Sequence, residues 1–150
     1  MAHCPMQLPD GFCDQLDAHM HVHLTEVPND APVNVIDRTQ SYRVTVHIEL
    51  SAQMKRLICG TWCISVACEG AGTAGEKNVT KQMEMNNCDD GMDECVFDLP
   101  GDWFTPSGDG KEGCGDVYNL TVTAIALDKC EGKPLGIAGF CTLGPVMVYN

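Results

Sequence analysis

Leu57-Ile58-Cys59-Gly60-Thr61-Trp62-Cys63-Ile64-Ser65-Val66-Ala67-Cys68-Glu69-Gly70 decides the fold class of this chain. Trp62, Ile64, Val66 and Cys68 alternate with Thr61, Cys63, Ser65 and Ala67. A period of two puts one set of side chains in a core and the other on an outer face, which is a strand and not a helix. Trp62 lies in the buried register. Cys68 shares that register and reads as a small core hydrophobe, whereas Cys63 faces the opposite side of the sheet.

The same period recurs on either side. Tyr42, Val44, Val46, Ile48 and Leu50 alternate with Arg43, Thr45, His47 and Glu49. Upstream, Met20, Val22 and Leu24 alternate with His19, His21 and His23. Downstream, Val117–Leu127 places Tyr118, Leu120, Val122, Ala124 and Ala126 inward. Shorter runs at Val79–Met85, Cys95–Leu99 and Leu143–Tyr149 complete about seven strands. Pro28–Asp37 reads as a loop, Ser51–Ile58 as a segment with a helical turn, and Gly70–Gly75 as a turn. No amphipathic helix of useful length is present. The pattern predicts an all-β chain folded as one antiparallel β-sandwich over 18–150, preceded by an irregular N-terminal arm over 1–17.

Counted from Ala18, Trp62 falls on the third strand, and Gly115-Asp116-Val117-Tyr118 opens the sixth. In this the chain resembles the immunoglobulin-like sandwich, with its core Trp on the third strand and Asp-x-Tyr corner at the sixth. Val46 and Leu120 stand where antibody domains carry their paired cysteines, so the resemblance is one of architecture. It implies a seven-strand sandwich and names no activity.

The 150 residues carry a formal net charge of −12. That excess repels phosphate backbones, so nucleic acid is not an expected partner. No apolar run approaches the roughly 20 residues of a membrane-spanning helix, and Met-Ala-His-Cys-Pro does not read as a secretory signal. The ten cysteines are the compositional outlier, and none forms a Cys-x-x-Cys pair of the kind that holds zinc. They point to a disulfide framework, and with it an extracellular or cell-surface setting. Cys88 and Cys95 flank an acidic loop that a bridge would pin. Cys130 and Cys141 flank the turn at Lys133–Gly136 and are a second candidate pair. Cys4 and Cys13 in the arm are candidates for links between subunits.

Two features suggest ligands. His19, His21 and His23 project from one strand face at intervals of about 6.5–7 Å, so adjacent members reach one ion but the outer two do not. An antiparallel neighbour at Tyr42–Leu50 would add His47 and Glu49. His21, His23, His47 and Glu49 thus form a candidate site for Zn, Cu or Ni. The acidic stretch Cys88–Cys95 offers oxygen ligands for Ca, but its spacing departs from that of an EF-hand. No Gly-x-Ser-x-Gly or His-Glu-x-x-His is present, and no local signature singles out a catalytic cysteine. The expected function is therefore a non-enzymatic structural or interaction module that self-associates or binds a protein partner, for example as a filament or surface-assembly subunit. The alternative is a protein that binds a divalent metal through its histidine-rich strand face.

Overall fold

The computed structural model describes residues 1–9, 17–70, 76–86, 92–104 and 116–149. Alternation dominates the four longest segments read from sequence. β2 (Ala18–Val27), β5 (Ser41–Leu50), β6 (Gly60–Gly70) and β9 (Asp116–Asp128) bury alternate residues along most of their described length. Shorter elements are β1 (Ala2–Pro5), β3 (Ala31–Pro32), β4 (Val35–Asp37), β7 (Lys77–Glu84) and β8 (Asp93–Pro100), and β10 (Pro134–Tyr149) closes the chain. The described residues thus form ten strands where the pattern predicted about seven.

Two sheets face each other. The first runs β1-β2-β5-β8, with β3 paired to β2; the second runs β4-β10-β9-β6-β7. Among the described residues all pairings are antiparallel except β4 with β10. The inward residues make one core, in which Trp62, Tyr118, Phe97, Phe104 and Met20 are the largest fully buried side chains. Burying an aliphatic or aromatic side chain of this kind contributes roughly 1.5–3 kcal/mol.

Between β5 and β6 the chain passes from one sheet to the other through α1 (Ala52–Leu57). Ser51 caps this helix, its hydroxyl accepting from the Met54 N–H at 3.3 Å, and Met54 is buried beneath it. Strand β6 starts at a glycine for a steric reason. A Cβ on Gly60 would lie 2.0 Å from the Leu127 carbonyl oxygen of β9.

Several contacts among the described residues tie the sheets together. Trp62 of β6 donates its indole N–H to Asp93 of β8 at 2.7 Å in the core. The second Asp93 oxygen accepts from the backbone N–H of Asn86 at 2.7 Å. At one open side, Lys81 of β7 reaches the Val96 carbonyl of β8 and lies over the Phe97 ring at 5.1 Å from its centroid. At the other side, a disulfide joins Cys4 of β1 to Cys141 of β10.

That disulfide corrects two expectations. Cys4 lies in a strand within the fold and bonds within its own chain, so it is not a link between subunits. Cys141 is therefore unavailable to Cys130. The reason lies in the β9–β10 register: Cys141 faces Val122, while Cys130 sits in the turn beyond the end of β9. There Asp128 accepts from the Cys130 N–H at 2.9 Å, and the Cys130 thiol is free and exposed. Cys13 and Cys88 lie outside the described residues, as do 71–75 of the glycine-rich turn and Asp89–Gly91 of the acidic loop. Cys95, the expected partner of Cys88, is a buried free thiol. The expected irregular arm contains β1, whose four residues pair with β2.

Candidate functional site

The two outer faces of the sandwich differ in chemistry. On the first sheet, the outward register of β1, β2 and β5 carries His3, His19, His21, His23 and His47, which are all the histidines of the chain. The register decides who meets whom. His3 lies opposite His21, His21 opposite His47, and His19 opposite Glu49.

Side-chain contacts divide this face into two groups. In the first, the His3 ring stacks on His21, with centroids 4.4 Å apart and planes 14° from parallel. His3 Nε2 also lies 3.1 Å from His19 Nδ1, and His19 Nε2 lies 2.7 Å from an Asp17 carboxylate oxygen. In the second, His23 and His47 meet edge to face at 5.8 Å. His21 lies 3.6 Å from Glu49, and His47 lies 3.5 Å from Glu94 of β8. Burial first, and then the neighbouring His47, lower the pKa of His23 below its ordinary value.

The predicted set of His21, His23, His47 and Glu49 is thus assembled on one face, with His21 turned towards His3 and His47 towards His23. Among the described residues, no three His, Cys, Asp or Glu side chains converge on a point that holds a metal ion. Sequence reasoning missed His3. Its strand spans only Ala2–Pro5, too short for alternation to declare itself.

The outer face of the second sheet carries almost no charge. Its register rows run Ala138, Ile125, Cys63, Gln82; then Phe140, Thr123, Ser65, Thr80; then Thr142, Thr121, Ala67, Asn78. None of these twelve side chains is Asp, Glu, Lys, Arg or His, and Glu69 and Glu84 stand at the rim. Phe140 is 63% exposed and Ile125 is 40% exposed. Both line a hollow of about 550 Å³ together with Cys4, Pro5, Gln7 and Ala138. The hollow forms because Gln7 pairs with Ala138, bringing the segment after β1 against the edge of β10.

Cys68 and Cys95 do not belong to either face. Burial pushes the Cys68 thiol up to about 12 and raises that of Cys95, which is the opposite of an activated nucleophile. No helix among the described residues is long and apolar enough to cross a membrane. No protein-family model and no curated protein matches the chain.

Proposed function

We propose that this chain is a non-enzymatic interaction module of immunoglobulin-like plan that associates with a second copy of itself through the outer face of its second sheet. A larger surface assembly or filament would need a second, different contact beside this one, because a face that pairs with its own copy closes at the dimer. One observation carries the reading: a chain of net charge −12 has a broad face whose centre is free of ionic side chains and displays Phe140 and Ile125. Copies of a strongly acidic body repel one another least where no charge is carried, and apolar groups there gain by leaving water.

The size of the face sets the strength. Four strands about 4.8 Å apart and three rows about 6.8 Å apart give roughly 400 Å² in projection. Two copies face to face would cover roughly 800 Å², the scale of a transient contact and short of a stable specific interface. Association is accordingly weak and concentration-dependent.

Sedimentation equilibrium of the full chain over increasing concentration tests this. The expected result is a reversible dimer that tightens as salt screens the repulsion between acidic bodies and is abolished by Phe140→Lys. Phe140 is exposed, so the substitution leaves the core intact. A chain that stays monomeric in high salt at every concentration would overturn the proposal.

A further inference from the structure

We propose that His3 and His19 are the protein ligands of a solvent-open site for a divalent transition-metal ion, with Asp17 positioning His19. The proposal is independent of the association face, which lies on the other sheet. His3 Nε2 and His19 Nδ1 stand 3.1 Å apart. Two imidazole nitrogens each about 2.0–2.1 Å from one ion are separated by about 2.9 Å at a right angle and about 3.3 Å at the tetrahedral angle. The observed separation falls between these limits, so the two rings need to tilt rather than travel.

The protons are placed for it as well. Asp17 accepts at 2.7 Å from His19 Nε2, which leaves a lone pair on His19 Nδ1 aimed at His3. A ligating histidine characteristically gives its other ring N–H to a carboxylate in this way. With no ion bound, His3 Nε2–H donates to His19 Nδ1. On binding, His3 moves that proton to its own Nδ1, so two neutral imidazoles ligate with no net proton released. His21, stacked on His3 at 4.4 Å, supports that ring from one side.

The disulfide one residue along, at Cys4, fixes β1 against the body of the sandwich and so pre-positions His3. No third protein ligand converges among the described residues. Imidazole donors select Zn²⁺, Cu²⁺ or Ni²⁺ over Ca²⁺ and Mg²⁺, which require oxygen ligands.

The test uses Zn²⁺ as the probe on the full chain, with exposed thiols blocked by N-ethylmaleimide so that Cys59 and Cys130 do not compete. Calorimetric titration is expected to show one ion bound. His3→Ala and His19→Ala should each weaken binding tenfold or more, Asp17→Asn should weaken it to a smaller extent, and His47→Ala should leave it unchanged. Ring ¹⁵N NMR should place the zinc-induced shifts at His3 Nε2 and His19 Nδ1. Wild-type affinity in His3→Ala, or shifts confined to His21, His23 and His47, would overturn the assignment. Unchanged circular dichroism of the variants separates loss of ligand from loss of fold.

Discussion

Replacing Asp93 by asparagine isolates the polar link between the sheets. Asp93 is 3% exposed and receives two donors, the Trp62 indole N–H from β6 and the Asn86 backbone N–H, both at 2.7 Å. Hydrogen bonds to a charged group are worth about 1.5–3 kcal/mol each. In Asp93→Asn one oxygen is kept, and the new NH₂ faces a donor it cannot satisfy. The loss is therefore one such bond plus the penalty of an unsatisfied buried donor, about 3–6 kcal/mol in all. A domain of this size is stable by roughly 5–15 kcal/mol, so the variant should still fold, with a clearly lower midpoint.

The assay is guanidinium unfolding followed by circular dichroism, with an unchanged slope showing that the surface exposed on unfolding is the same. Trp62→Phe with Asp93→Asn closes a double-mutant cycle, and a coupling of about 1.5–3 kcal/mol is expected for groups in direct contact. An Asp93→Asn midpoint equal to the wild type, or a coupling near zero, would refute the idea that this buried pair holds the two sheets together.

Removing the Cys4–Cys141 disulfide by paired substitution to alanine should lower stability by about 2–5 kcal/mol, since it closes a loop of 137 residues and so restricts the unfolded chain; equal denaturation midpoints with and without it would contradict this. With its thiol at about 12 and buried, Cys68 should resist iodoacetamide in the native chain at about pH 8.5, while Cys59 and Cys130 react. Peptide mass spectrometry showing Cys68 labelled as fast as Cys130 would refute its placement. His23 titrates below its ordinary 6.5 because of burial and then His47, so the folded chain binds fewer protons there than the unfolded one. Its contribution is fully present above about pH 6.5 and is lost as pH falls through the lowered folded pKa. An NMR titration with His23 at or above 6.5 would rule this out.

Much of the framework is legible in the sequence because it rests on long alternation. β2, β5, β6 and β9 announce themselves through eight or more residues of inward and outward order. The acidic, aromatic and cysteine content says nothing about β3 or β4, which span Ala31–Pro32 and Val35–Asp37 and exist only through pairing with distant neighbours. The start of β10 is obscured in the same way. Its Pro134-Leu135-Gly136 reads as turn chemistry, and bulges between Pro134 and Ala138 and between Leu143 and Val146 break its period.

Four of the five histidines on this face are legible in the sequence. His19, His21 and His23 follow from one strand, and His47 follows from an antiparallel neighbour. His3 requires the pairing of β1, which no local pattern encodes. Cys141 misleads for a related reason. Symmetry about a turn suggests a partner at Cys130, but strand register places Cys141 opposite Val122 and leaves Cys4 to approach from the other sheet.

Lys81 bears on how the molecule avoids the fate common to open sheets. A sheet edge with vacant carbonyls invites any extended chain to add to it, and natural proteins place lysines there against that hazard. By occupying the Val96 carbonyl and covering Phe97, Lys81 of β7 closes the β8 side to a guest strand. Growth by strand addition is hindered on that side, whereas contact through a broad face is limited by area and saturates.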